Sequence, residues 1–253
     1  MRRGWLVVFA KAPAAGRVKT RFTPPLTPAE AAVLYRCLLD DVLEVSGAAA
    51  ASLDLDAVLA VDAASEVASL TAQAPRGFRG IAQGHGALGD RMARAAHQAV
   101  AAGAPCVFLR GSDSPCMAEA TLAAAVGALS RVDLVVCPDR DGGYNLVGVR
   151  AQALSSRALG ELFDHPMSVP TVLRDTLARA ERLGLATHQL PTGFDLDRFE
   201  DLAWLAAVRH TSASDLCRRT LAFLDEHGLW PPGSDPVATR SAANGGLGNS
   251  RER

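Results

Sequence analysis

Short apolar runs alternate along the chain with longer segments of helical period, which is the pattern of repeated βα units built around a parallel sheet. The runs predict strands at Trp5–Ala10, Ala57–Val61, Phe78–Ala82, Cys106–Arg110 and Leu134–Cys137. They are rich in Val and Leu with little polar alternation, as expected where helices cover both faces of a sheet. A further strand at Tyr144–Val149 follows a Gly142-Gly143 turn, and a turn that short predicts an antiparallel return.

The first helix has the clearest start. Thr27 can cap it, Pro28 stands at its first position, and Glu30 completes a T-x-x-E capping box. Leu34, Leu38, Val42 and Val45 recur at helical spacing, which predicts a core face with Arg36 and Asp40 turned outward. Helical period also predicts helices near Leu88–Ala102, Glu119–Leu129, Pro170–Leu183, Phe199–Arg209 and Ala213–Glu226, the first of these carrying Met92, Ala95 and Ala99 on its core face. From Pro231 onward Pro, Gly, Ser and Asn dominate without apolar period, so residues 1–230 are expected to form one domain and 231–253 a disordered tail.

Composition narrows the function classes. With 253 residues, 49% of them hydrophobic, the chain can bury a core as one α/β domain. Lys plus Arg total 26 against 27 for Asp plus Glu, so there is no net positive field to neutralise a run of nucleic-acid phosphates. Cys37, Cys106, Cys116, Cys137 and Cys217 form no C-x-x-C pair, which argues against a zinc knuckle or a disulfide framework and for buried thiols in a reducing cytoplasm. Met1-Arg2-Arg3 before the apolar run to Ala10 superficially copies a signal peptide, but the run is short and Lys11 closes it. No stretch reaches the roughly 18 apolar residues of a membrane span.

Four polar constellations follow the predicted strands. The loop after the first strand carries Lys11, Ala12, Gly16, Arg17, Lys19 and Arg21, that is, four cations and a glycine where open α/β sheets bind ligands. It matches neither a Walker P-loop nor G-x-G-x-x-G, and a solvated basic loop would carry the same residues. Gly111-Ser112-Asp113-Ser114-Pro115 directly follows the strand Cys106–Arg110, so Asp113 is placed at the same crevice, although Asp, Ser and Pro are also ordinary turn residues. Magnesium binds one or two carboxylates while keeping waters and substrate phosphates. A second carboxylate is available in Asp195-Leu196-Asp197, where both Asp side chains share one side of an extended backbone, but Asp197 can equally cap the helix starting near Phe199. Pro138-Asp139-Arg140-Asp141-Gly142-Gly143-Tyr144 forms a turn whose glycines let a ligand approach the backbone, a natural acceptor site. Gly86-Ala87-Leu88-Gly89-Asp90-Arg91 enters a helix, with Arg91 one turn in and able to reach a phosphate or base. The histidines show no metal spacing, and no G-x-S-x-G elbow appears, which argues against an α/β-hydrolase.

Taken in order, FAKAPAAGRVKTR, GALGDRM, GSDSP, PDRDGGYNLVGV and FDLD resemble the family of glycosyltransferase-A-like proteins named as glycosyltransferases associated with radical-SAM proteins or selenodomains. The likeness covers roughly residues 4 to 210. More distantly, the chain is similar to the 2-phospholactate and molybdenum-cofactor guanylyltransferases. The resemblance implies a Rossmann-like nucleotide-diphospho-sugar transferase (GT-A) fold. It also implies that Lys19 and Arg21 lie near nucleotide phosphates, that Asp113 binds metal with Asp195 or Asp197 as second ligand, and that Gly86, Leu88, Gly89 and Arg91 line base and ribose. Asn145 departs from a second aromatic more usual after Tyr144, which changes the expected acceptor pocket.

These readings converge on a cytoplasmic transferase that uses a nucleoside triphosphate or nucleotide sugar, a small-molecule acceptor and Mg2+ or Mn2+. Lys19, Arg21 and Asp113 are its expected catalytic residues, with Lys11, Ala12, Gly16, Arg17 and Ser112 joining them at the nucleotide. Asp141, Gly142, Gly143, Tyr144 and Asn145 are expected at the acceptor, and Asp113, Asp195 and Asp197 at the metal. The rival is a nucleotide-binding module without turnover, which would need neither acidic motif. A dinucleotide oxidoreductase is disfavoured by the missing G-x-G-x-x-G.

Overall fold

A computed structural model describes residues 3–153 and 156–231 of the chain. Among these residues seven strands form one sheet in the order β3-β2-β1-β4-β6-β5-β7. They are β1 (Gly4–Ala10), β2 (Leu55–Val61), β3 (Arg79–Ala82), β4 (Cys106–Gly111), β5 (Leu134–Pro138), β6 (Tyr144–Arg150) and β7 (Thr187–Gln189). All neighbours pair in parallel except β6, which runs antiparallel to both β4 and β5, as its glycine turn predicts. The apolar run at the amino terminus is the central strand β1, with Gly4 to Ala10 paired residue by residue to Leu55 to Val61 of β2.

Eight α-helices among the described residues cover the sheet: α1 (Pro28–Ser52), α2 (Val67–Gln73), α3 (Leu88–Ala101), α4 (Glu119–Ala128), α5 (Ser156–Phe163), α6 (Val172–Arg182), α7 (Leu202–Val208) and α8 (Arg218–Glu226). Side chains alternate along each strand, so the two faces carry separate cores. Trp5 and Val7 of β1 pack with Ala95, Ala96 and Ala99 of α3 and Leu159, Leu162 and Phe163 of α5. On the other face Val8 and Ala10 meet Tyr35, Leu39, Val42 and Leu43 of α1, while Leu6 and Phe108 meet Leu122 and Ala125 of α4. A further cluster joins the outer side of α1, through Leu34 and Leu38, to Leu205 of α7 and Leu221 and Leu224 of α8.

The capping box at α1 forms as expected, with the Glu30 amide donating to Thr27 Oγ1 and the Thr27 amide to Glu30 Oε2. Its core face differs at two places. Val45 is only half-buried, and Asp41 is buried because the face is wrapped by α8. The segment expected as one helix at Phe199–Arg209 is a 3-10 turn at Phe199–Asp201 followed by α7, and that expected at Ala213–Glu226 is a 3-10 turn at Ser212–Cys217 followed by α8. The strand β7 and the helices α2 and α5 were not expected. The tail expected from Pro231 lies, but for Pro231 itself, outside the described residues. Among the described residues, no helix is long and apolar enough to cross a membrane.

Candidate active site

Parallel strands present their carboxyl ends to one edge of the sheet, and loops leaving that edge form its ligand crevice. The loops after β1 and β4 are neighbours there because β1 and β4 are paired, with Phe9 opposite Gly111. A buried tyrosine from α1 joins them. Tyr35 accepts the Lys11 amide at 2.8 Å, and its hydroxyl lies 2.9 Å from Ser112 Oγ. Burial, together with the carboxylate of Asp113, pushes its phenol well above the ordinary range, so it stays neutral. The next amide, of Ala12, donates to Asp62 Oδ1 at 2.8 Å, which ties the same loop to the end of β2. Lys11 and Ala12 are thereby held through their backbones, leaving the Lys11 side chain exposed. Neither Tyr35 nor Asp62 carries a sequence signal that separates it from a core tyrosine or a surface aspartate.

The strap 193–197 crosses the edge beyond β5 and β4. The Gly193 amide donates to Pro138 O, the Asp195 amide to Asp139 Oδ1 and the Leu196 amide to Asp113 O. Leu196 points into the core, which turns Asp195 and Asp197 the other way, as the extended alternation predicts. Three separate stretches of sequence meet at this point. Lys19 Nζ lies 2.5 Å from Asp113 Oδ1 and 3.8 Å from Asp197 Oδ1, and it donates to the carbonyl of Leu196. The alternative role for Asp197 is corrected here. Asp201 Oδ2, not Asp197, accepts the amides of Asp197 and Arg198 at the start of the 3-10 turn, leaving the Asp197 carboxylate to face Lys19.

Four carboxylates, those of Asp113, Asp139, Asp195 and Asp197, crowd this corner. Burial and the neighbouring charges of Asp139 and Asp113 hold the Asp195 carboxyl well above the usual range, although Ser114 Oγ donates to it. Burial also raises Asp139, to about 6, and Asp197, where Lys19 and Arg21 act in opposition. The buried guanidinium of Arg110 donates to Ser46 Oγ and to Ser114 O, its Nε has no partner, and burial lowers it to about 10 despite the charge of Asp195. Arg110 was not singled out from the sequence, and Asp139 was named only within the turn expected at the acceptor. For Asp139 the signal was present, since it follows β5 as Asp113 follows β4.

This crowding has a measurable cost. Because Asp195 has a folded-state pKa above the unfolded value of about 3.9, its contribution is fully present below that pH and is lost as pH rises through the folded pKa. With EDTA present, Asp195→Asn should therefore raise the melting temperature near neutral pH, each kcal/mol of relief appearing as about 2–4 °C at this chain length. The gain should shrink toward zero below about pH 4. Melting profiles of the two proteins that run parallel from acid to neutral pH would show that Asp195 ionises without penalty.

The remaining expected residues fall differently. Gly16 has φ 75°, in an exposed turn, and Arg17 lies 4.0 Å from Asp62. Arg21 is exposed, with its charge felt at Asp197. Arg91 is tied by Nη1 to Gln83 Oε1, and Gln83 Nε2 in turn donates to Ala10 O at the end of β1 and to Ala60 O. Leu88 packs against the core, and Gly89 is buried where a Cβ would collide with Phe163 O. Close packing on α5 thus accounts for Gly89 without a ligand, while Gly86 and Gly89 both line an open cleft with His85, Arg94 and His97. Gly142, with φ 91°, is filled in the same way, its Cβ position taken up by Pro170 O. Asp141 accepts the Gly143 amide and is exposed. Tyr144, pushed up to about 12 by burial, accepts from Thr176. Asn145 is buried beside Gly193 with its Oδ1 unpartnered.

Among the described residues, no group of three or more His, Cys, Asp or Glu stands at metal-holding geometry. The donor set nonetheless suits a hard divalent cation: it is all oxygen, and like charges crowd around a half-buried carboxylate.

Residues 45–168 match the family model described as "Uncharacterized protein conserved in bacteria (DUF2064)". A search of curated proteins finds no match to the chain. Among solved structures, the chain is similar to the "putative nucleotide-diphospho-sugar transferase" of Desulfovibrio desulfuricans G20, with 28% identity and a TM-score of 0.74 over 90% of this chain and 99% of that one. A cytidylyltransferase from Leptospira borgpetersenii shares 11% identity and a TM-score of 0.54, covering 90% of this chain and 96% of its own. A 4-diphosphocytidyl-2C-methyl-D-erythritol synthase from Anaerococcus prevotii shares 12% and 0.52, covering 78% and 94%. At these identities the last two share the fold alone. The fold is the Rossmann-like, GT-A type of nucleotide-diphospho-sugar transferases.

Proposed function

We propose that this chain is a nucleotidyl- or glycosyltransferase, one that binds a nucleoside triphosphate or nucleotide sugar across the carboxyl ends of β1 and β4 and transfers a group to a small acceptor near the turn between β5 and β6. The observation that carries this reading is the meeting of Lys19, Asp113 and Asp197, from three distant stretches, at the ligand edge of the sheet. The Desulfovibrio relative, similar over nearly all of both chains, supports a transferase. Residues 1–230 are read as one domain.

Lys19, Arg21, Lys11 and Arg17 supply charge to the phosphates, and donors come from amides of the same loop other than those of Lys11 and Ala12, which Tyr35 and Asp62 already engage. Charge that develops on phosphate oxygens during transfer is stabilised by cations already in place. Asp113, with Asp195 and Asp197, would hold Mg2+ or Mn2+, which when bound supplies further neutralisation of phosphate charge. Tyr35 positions the two loops against each other through Lys11 and Ser112. Ser112, beside Asp113, is assigned to the same nucleotide, as are Ala12 and Gly16, whose φ of 75° gives the loop its turn. Gly86, Leu88, Gly89 and Arg91 are assigned to the base and ribose side. Asp141, Gly142, Gly143, Tyr144 and Asn145 are assigned to the acceptor side, where the unpartnered Oδ1 of Asn145 is available to a donor.

A thermal-shift screen of nucleoside triphosphates and nucleotide sugars, with and without Mg2+, tests the reading. A ligand at about 100 times its Kd adds about 2.7 kcal/mol, a rise of roughly 5–10 °C. If no nucleotide raises the melting temperature, the reading is wrong. Release of pyrophosphate from the stabilising nucleotide then separates nucleotidyl from glycosyl transfer. Arg21→Ala should weaken triphosphates most and monophosphates least, since it removes charge that meets phosphate rather than base. Equal losses for mono-, di- and triphosphates would instead put Arg21 on the sugar or base.

A further inference from the structure

The cations of the first loop are not equivalent. Lys11, Arg17 and Arg21 are exposed, whereas the Lys19 side chain is 4% exposed. Its backbone is left-handed, φ 47° and ψ 36°, at the residue before the turn Thr20–Phe22, and that bend directs the side chain inward to the strap. An ammonium has three donors, and here three oxygens surround it: Asp113 Oδ1, Asp197 Oδ1 and the carbonyl of Leu196. A lysine held in this way is not free to meet a phosphate. A divalent cation bound to Asp113 and Asp197 would also share their oxygens with a positive charge already in contact with them, and like charges at that range repel strongly.

We propose that Lys19 is an exchangeable counter-ion that guards the carboxylates: the phosphates of an incoming nucleotide draw its ammonium away, and only then do Asp113 and Asp197 accept a divalent cation. This rests on the transferase reading above and adds an order of binding to it. The long, flexible stem and single charge of lysine suit it to move between carboxylate and phosphate, where a planar, bidentate arginine would be held in one geometry. The coupling is reciprocal, so whatever nucleotide gains in metal affinity, metal gains in nucleotide affinity.

The test uses Mn2+ alone, counted by the loss of its free electron-spin-resonance signal as protein is added. Wild type without nucleotide should bind Mn2+ weakly, and Lys19→Arg, which keeps the charge, should do the same. Lys19→Met and Lys19→Gln should each bind Mn2+ about tenfold or more tightly than wild type, because the competing charge is gone. Adding Asp113→Asn to Lys19→Met should remove the gain. Folding of each variant is checked by melting, and tight Mn2+ binding by wild type alone would overturn the proposal whatever the variants do. So would folded Lys19→Met and Lys19→Gln proteins with wild-type affinity. If that happens while wild type still shows a Mg2+-dependent nucleotide shift, the order of binding alone is refuted; if the nucleotide shift is missing as well, the site reading falls with it.

Discussion

Asp113→Asn is expected to abolish the Mg2+-dependent part of nucleotide binding and to lower transfer by more than about 100-fold, beyond the 10–100-fold typical of losing a residue that merely supports a metal ligand. The expectation comes from position. Asp113 follows β4 directly, its backbone carbonyl is pinned by the Leu196 amide, and its carboxylate is the nearest of the four to Lys19. Asparagine keeps the shape and can still accept from Lys19, but it loses the charge that a divalent cation needs. Because the substitution also takes one negative charge from beside Asp195, stability should change by less than about 1 kcal/mol. Melting curves of the free protein and of the protein with triphosphate, each with and without Mg2+, give both quantities. Unchanged Mg2+ dependence in the variant would reduce Asp113 to a turn residue that fixes Lys19.

Much of this site was legible because its parts sit where apolar runs end. Lys19 and Asp113 could be located from the strands before them, since carboxyl ends of parallel strands converge whatever the loops contain. Asp195 and Asp197 were legible as a pair from alternation about Leu196, which is buried as that alternation requires. What their charges face was not legible: the capping group at Phe199 proved to be Asp201, four residues beyond Asp197, and sequence spacing allowed either. Tyr35, Gln83 and Arg110 were missed for one reason. Each is a buried polar residue within an apolar stretch or beside one, and burial is a property of the packed chain, invisible in a window of sequence.

Glycines carry a related ambiguity. The Gly142-Gly143 turn was expected to admit a ligand and Gly89 to line base and ribose, and at Gly142 and Gly89 the position of a Cβ is taken by a backbone carbonyl, of Pro170 and of Phe163. A sequence reports that a side chain is excluded, not what excludes it. The elements missed, α2, α5 and β7, are short; β7 is three exposed residues, Thr187 to Gln189, paired in parallel with β5. No periodicity is measurable over such lengths.

Asp41→Ala should cost about 3 kcal/mol, the low end of what breaking a buried charged network costs, and lower the melting temperature by about 6–12 °C. Asp41 lies on α1 at 2% exposure. Its carboxylate accepts the Thr220 amide and hydroxyl, each at 2.8 Å, and the Arg219 amide and Nη1 at 3.2 and 3.1 Å. The two amides belong to the first turn of α8, which has no side-chain cap of its own at Cys217, so a residue far away in sequence caps it. Alanine leaves both amides without their acceptor, and the amide and hydroxyl of Thr220 lose theirs while buried. Asp41→Asn keeps an acceptor and should fall between the alanine variant and wild type. The alanine variant also examines whether residues 1–230 unfold as one body. Leu34 and Leu38 of α1 share a core with Leu221 and Leu224 of α8, and α1 also packs on the sheet through Tyr35 and Leu39. Loosening α8 should therefore lower a single transition seen alike by tryptophan fluorescence and circular dichroism. A separate early transition, with the main one unmoved, would show that α8 is an accessory to the domain and that Asp41 serves only its attachment.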